Sequence, residues 1–401
     1  MGQSVSLIGS WMQNVALSWL VYRLTGSVFL LGLTGFANQI PAFILSPVTG
    51  VLSDRYNRHR IMILAQVSFL LQALLMAILV LFNFILVWHI LTLSVIFGII
   101  SAFDAPARQS LVVDMIDNPD DLGNAIALNS AVFNGARLIG PAIAGVTIAL
   151  VGEGICFLIN AISYLAVIIA LVKMSIPARV SHTKETNLGK AFSEGLRYTF
   201  SSLPIRRLLI RLAILSLVAL PFIVLLPAYV REILHGNADT LGFLMSAMGA
   251  GALTGAIYLA ARRNVLGLGK IISVFSILLG LMIVLASFSR NIGFSLSLFY
   301  FAGLAMILSI AAINTMLQTI ADEDKRGRVM SFYAMALIGT TPIGNLLAGS
   351  IASGIGIPHT LLAGGIITIL AGLWFELNRK SLRKYIHPIY IQKGIISDLP
   401  V

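Results

Sequence analysis

Twelve apolar stretches of about membrane-spanning length follow one another along this 401-residue chain, and they limit what it can become more than any motif does. A helix needs about 20 mostly apolar residues to cross the hydrocarbon core of a bilayer. The stretches run over 3–22, 29–52, 61–82, 87–115, 122–150 and 153–173, then over 206–230, 239–261, 270–289, 292–320, 328–354 and 358–377. In hydrocarbon every backbone N–H and C=O must be satisfied within the chain, so open sheets facing lipid are excluded and such stretches form helices. Charge agrees with this. Only 11% of the residues are charged, against about 25% in a soluble domain. The expectation is an all-α multi-pass membrane protein with twelve transmembrane helices.

A net charge of +11 would suggest nucleic acid in a soluble protein, but the placement of the charges argues otherwise. Of the 27 Lys and Arg, 23 fall in the loops after even-numbered stretches and in the tail. Arg23, Arg231 and Arg290 fall in the opposite loops, and Arg137 lies inside the fifth stretch. Because Lys and Arg are retained on the cytoplasmic side, both termini are expected there, and no nucleic acid is expected as a partner. The single cysteine, Cys156, excludes an intrachain disulfide and a Cys-based metal cluster. The nearest approach to a phosphate loop, Gly267-Leu-Gly-Lys270, lacks the first Gly and is followed by Ile271. ATP hydrolysis is therefore not expected. Neither a cofactor nor a metal is called for, and the energy source is expected to be an ion gradient.

Between the sixth and seventh stretches Leu188, Phe192, Leu196 and Phe200 recur every four residues, with Lys190, Glu194 and Arg197 on other faces, until Pro204. That spacing predicts an amphipathic helix on the membrane surface, tethering two halves. The halves also share a repeat. DLGNAIALNSAVFNGARLIGPAIAG at 121–145 matches KRGRVMSFYAMALIGTTPIGNLLAG at 325–349, pairing Gly123 with Gly327, Gly135 with Gly339, Gly140 with Gly344 and Gly145 with Gly349. The predicted division is a bundle over 1–173, a cytoplasmic connection over 174–205, a second bundle over 206–378 and a cytoplasmic tail over 379–401.

One short loop is dense in charge: residues 50–60 read GVLSDRYNRHR. Gly50, Leu52, Asp54, Arg55 and Arg58 resemble the G-x-L-x-D-R-x-x-R loop between the second and third helices of major facilitator transporters. WMQNVALSWLVYRLTGS at 11–27, QIPAFILSPVTGVLSDRYNR at 39–58 and AFDAPARQSLV at 102–112 resemble the exporter branch that contains the enterobactin exporter and macrolide efflux proteins. Arg137 to Gly145 resembles the Gly-Pro signature of antiporters, departing from it at Ala144, where a second Gly is usual.

The resemblance implies a major facilitator fold of two six-helix bundles, with the substrate site between them near the midplane. It further implies a monomeric secondary transporter in the bacterial cytoplasmic membrane. By alternating access and proton antiport, such a protein would export a siderophore or an amphipathic drug-like molecule. An importer or uniporter of a small metabolite is the alternative within transport, and a non-transporting receptor or assembly factor the alternative outside it. Gly50, Asp54, Arg55, Arg58, Arg108 and Asp114 form the expected cytoplasmic gate, with Asp54 near the segment from Gly327 to Met330. Gly140, Pro141 and Gly145 form the expected kink.

Ionisable residues at membrane depth are costly and default to function. Asp104 and Arg137 are the acid and base expected there as a pair, which either carries proton coupling or only neutralises itself or supports an inner gate with Arg108, one turn from Asp104. Gln13, Asn14, Asn38, Gln39, Asn134 and Arg137 are candidate substrate ligands, although Asn and Gln also join neighbouring helices. Met245 and Met248 are expected either to offer an adaptable apolar wall or to face lipid or core.

Overall fold

The computed structural model describes residues 2–114, 122–174, 188–262 and 264–396, and all regular structure among them is helical. The first half contains α1 (Gly2–Thr25), α2 (Val28–Arg55), α3 (Arg58–Leu81), α4 (Val87–Asp114), α5 (Leu122–Val151) and α6 (Glu153–Lys173). A linker helix, α7 (Leu188–Ser201), leads to α8 (Leu203–Ile233), α9 (Ala238–Ala260), α10 (Leu268–Phe288) and α11 (Ile292–Ile320). The chain ends in α12 (Arg326–Ile355) and α13 (Ile357–Gln392). Among the described residues, eleven helices are long and apolar enough to cross a membrane: α2 to α6 and α8 to α13.

Helix ends follow local chemistry. The Ser27 hydroxyl accepts from Leu30 N to start α2, and the Asn57 side chain accepts from His59 N and Arg60 N to start α3. Each cap satisfies amides that the first helical turn leaves without a partner. Gly152 and Gly356 each form a one-residue corner, at φ 85° and 84°, joining α5 to α6 and α12 to α13. These two glycines stand 204 residues apart, the spacing of the repeat, so the repeat extends past Gly145 and Gly349. Only glycine takes such a conformation without steric cost.

Two boundaries differ from expectation. The seventh span is not one regular helix: α8 passes through π turns at Leu215–Ala219 and Tyr229–Ile233 around a 3-10 segment at Leu220–Leu225. Pro221 and Pro227 lie in this region and remove backbone donors, so the ladder shifts register to keep the remaining groups bonded. The tail is also not a separate segment from 379. α13 runs unbroken to Gln392, because Leu382, Ile386 and Tyr390 recur every four residues and bury one face on the core. Lys393 Nζ then donates to Thr319 O and Ala321 O, both at 2.7 Å, closing the end of α11.

The linker helix forms as its spacing predicts. It docks through Gly195, where Arg328 and Phe332 approach, and through Tyr198, whose hydroxyl accepts from Asp322 N at 3.2 Å. Leu196 and Phe200 stay exposed.

Packing orders the helices. α1 lies against α5 and α6, α2 against α4, and α3 against α4 and α6; later, α9 lies against α11, and α10 against α11 and α13. The halves meet chiefly through α2 on α12 and α5 on α9. Both junctions are glycine crossings. Cβ atoms added at Gly242 and Gly145 would stand 2.8 and 3.0 Å from each other's Cα, and the same is true at 2.9 Å for Gly32 and Gly349. Small residues of this kind let backbones touch.

Candidate functional site

Arg137 stands near the middle of α5, on the side where that helix meets α1 and the second half. Its guanidinium carbon lies 5.7 Å from the centroid of the Trp11 ring, and Nη2 lies 3.9 Å from Met306 Sδ on α11. Trp11 in turn meets Phe133 edge-on at 6.2 Å. Among the described residues no carboxylate pairs with Arg137, and its Nε is buried without a hydrogen-bond partner. The site is thus a cation set among an indole face, a thioether and apolar side chains, a setting that favours an anionic ligand with an apolar body.

The expected Asp104–Arg137 pair does not form. α4, which carries Asp104, packs on α2 and α3, whereas α5 packs on α1 and α9, so neighbours in sequence are separated in space. Asp104 is buried and bonds to Arg108, one turn along its own helix. It also accepts from Gln66 Nε2 at 2.7 Å. Gln66 Oε1 is buried and unpartnered. An amide so placed serves either protonation state: it donates to the carboxylate, or after rotation accepts from the protonated acid.

Gln13 is consumed by helix packing. Its Nε2 donates to Gln72 Oε1 at 3.0 Å, and its Oε1 accepts from Asn160 Nδ2 at 2.7 Å. Gln72 continues to Leu93 O at 3.3 Å, so one polar chain joins α6, α1, α3 and α4. The other candidates divide. Asn14 is exposed, while Asn38, Gln39 and Asn134 are half-buried. Met245 and Met248 are core residues, and the Met248 carbonyl packs where a side chain at Gly303 would stand. The methionine that reaches the basic centre is Met306. Thr340 and Thr341 turn their hydroxyls onto carbonyls of their own helix.

Gly50, Asp54 and Arg55 end α2 and Asp114 ends α4, but their side-chain placement lies outside the description; Arg58 opens α3 and Arg108 is held by Asp104. Around Pro141, Gly140 lets α5 touch Trp11 Cβ and Ile8 O of α1, and Gly145 seats it on α9. These residues fix α5 between two helices. At the end of the molecule where α1 finishes, Tyr22 hydrogen-bonds Glu232 across the halves, and Arg23 grips Glu153 at 2.7 and 3.2 Å. Sequence reasoning missed Trp11, Gln66, Gln72 and Asn160. The signal for the last three was present, as amides inside otherwise apolar stretches. One further basic residue is unusual: Arg211 on α8 is fully buried, and among the described residues none of its three guanidinium nitrogens has a partner.

Residues 1–385 match the family of transmembrane secretion effectors. The chain is 26% identical over 381 residues to the staphyloferrin A transporter of Staphylococcus aureus, covering 93% of this chain and 94% of that one. It is 25% identical to the multidrug efflux pump Tap of Mycolicibacterium fortuitum, covering 91% of each. Among solved structures it resembles a bacterial homologue of the human lysosomal transporter Spinster in an inward-facing, unoccupied conformation, with TM-score 0.70, 15% identity, and coverage of 96% and 97%.

Proposed function

Because the chain belongs to the transmembrane secretion effector family of major facilitator transporters, we propose that it exports an anionic or strongly polar amphipathic molecule, a siderophore or a drug-like compound, in exchange for protons. The single observation that carries this reading is Arg137. A guanidinium near the bilayer centre costs about 2.5–3.5 kcal/mol on insertion scales, and among the described residues no carboxylate offsets it. A substrate anion would supply the missing partner. A hydrogen bond to a charged group contributes roughly 1.5–3 kcal/mol, while Trp11 and Met306 hold the apolar part of the ligand.

In this reading α1 is the twelfth span, the halves over 1–173 and 206–378 are six-helix bundles, and both termini lie in the cytoplasm of a bacterium, as the distribution of Lys and Arg supports. The glycine crossings and the Tyr22–Glu232 bond then close the outer end, so the substrate path opens inward. The loop carrying Asp54, Arg55 and Arg58, with Arg108 and Asp114, latches the inner end during the outward-open phase. Export is favoured over import by the relatives' descriptions as an efflux pump and a secretion family.

Proton coupling falls to Asp104. Taking up a proton removes the charge that holds Arg108, and the Gln66 amide rotates to accept the new O–H. Arg108 is then freed to move, and substrate and proton occupy separate sites linked through the rearrangement of the halves. Reconstituted vesicles with an imposed pH gradient test this. Asp104→Asn is expected to exchange substrate down its own gradient while losing acceleration by the pH gradient, and Arg137→Gln is expected to lose substrate binding. An Asp104→Asn protein still fully driven by the gradient would remove Asp104 from the coupling role.

A further inference from the structure

A cavity lies under the extension of α13, with no residue of the Arg137 site in its lining. It measures about 690 Å³ and is bounded by the start of α10, the end of α11 at Met316, and α13 from Phe375 to Tyr390. That volume is in the usual range for a bound small molecule, about 300–1,000 Å³. Its walls are of two kinds. Leu266, Ile395 and Ile396 make an accessible apolar side, backed by the buried Phe375, Leu382 and Ile386, and Lys270, Arg379 and Arg383 make a cationic one. Arg379 is held by Glu376 through bonds of 2.8 to 3.0 Å. Lys270 and Arg383 have no ion pair or hydrogen bond among the described residues, and both are exposed. Gly267 starts α10 with no capping side chain, so the positive end of that helix also faces the cavity.

Depth identifies the occupant. By length and apolar composition, the stretches of these helices that can cross a membrane begin at Leu268, end at Ile320 and end at Arg379. The cationic wall therefore stands at the level where lipid head groups meet water, and the apolar wall lies beside it. We propose that this cavity binds one anionic phospholipid of the adjoining leaflet, its phosphate against Lys270 and Arg383 and its acyl chain along Leu266, Ile395 and Ile396. A free phosphate ester would satisfy the cations but leave the apolar wall uncovered. Basic pockets between transmembrane helices on the cytoplasmic side suit such head groups. The site is independent of what the protein transports.

Native mass spectrometry of the full chain, stripped of lipid in detergent, tests the assignment. Titration with phosphatidylglycerol is expected to leave one lipid bound, whereas phosphatidylcholine and glycerol 3-phosphate are not retained. The double variant Lys270→Ala/Arg383→Ala is expected to weaken retention about tenfold or more. Lys384→Ala, on the same helix turn but outside the cavity, leaves it unchanged. On the unaltered protein, phosphatidylglycerol carrying a diazirine on its acyl chain is expected to label residues 375–396, which decides the matter even if the double variant fails to fold. Equal retention by a folded double variant, labelling elsewhere, or displacement of the lipid by glycerol 3-phosphate would each overturn the proposal.

Discussion

The crossing of Gly145 and Gly242 offers a direct measure of what closes the end proposed to face outward. A Cβ at Gly242 would stand 2.5 Å from Pro141 O, 2.8 Å from Gly145 Cα and 3.0 Å from Gly145 N. All three atoms are backbone, so no side chain can swing aside, and α5 and α9 must part by about 1 Å to restore ordinary contact at this crossing. Overpacking of this kind costs typically 1–3 kcal/mol. If that cost falls only on the state in which the helices touch, Gly242→Ala shifts the balance toward the outward-open state by about 5- to 150-fold. The helix-propensity gain of Ala over Gly, roughly 0.5–1 kcal/mol, is common to both states and cancels. Gly135→Ala on α5 is the control, since a Cβ there meets nothing within 4 Å. Spin labels at Leu24→Cys and His235→Cys, in a Cys156→Ala background, report the width of the outer end by double electron–electron resonance. The expected result is a longer distance population for Gly242→Ala and none for Gly135→Ala. The same distribution in wild type and a well-folded Gly242→Ala would refute the reasoning, and an equal shift in Gly135→Ala would trace the effect to propensity instead.

Gln13→Leu strands Gln72 Oε1 and Asn160 Nδ2, each at a cost of roughly 1–3 kcal/mol; thermal unfolding should fall while substrate affinity holds, and a loss of affinity at unchanged stability would make Gln13 a ligand instead. Arg211→Met should raise the melting temperature, because a buried unpaired charge costs several kcal/mol; a lower melting temperature would show that the guanidinium has a partner in the resting protein. Asp54→Asn should lower turnover at normal abundance, measured as flux per molecule in vesicles, and normal flux would end the latch assignment.

Much of the architecture could be read from residues alone, since span ends coincide with Gly, Pro and charge: Gly152 and Gly356 mark two corners, and Asn57 marks the start of α3. The repeat was legible because the two halves meet through equivalent glycines. The partners of the polar residues were not. Asp104 and Arg137 sit on helices consecutive in sequence, yet which helices touch is set by packing over the whole bundle, and α4 turns to α2 and α3. Gln13 looked like a ligand because its partners, Gln72 and Asn160, come from helices far along the chain. The α13 extension was hidden for a different reason: basic residues at 379–384 mask a four-residue apolar spacing that becomes plain only once a core exists for it to cover.

The one-residue corners bear on how the chain enters the bilayer during synthesis. α5 carries the costly Arg137 and is among the least apolar of the spans, while α6, beginning two residues after it ends, is among the most. A corner as short as Gly152 gives the nascent chain no room to hold α5 in the insertion channel while α6 is still being made. The two partition as a hairpin, and the surplus apolar surface of α6 carries the arginine in. The corner at Gly356 between α12 and α13 is equally short, so that pair too is confined to entering together.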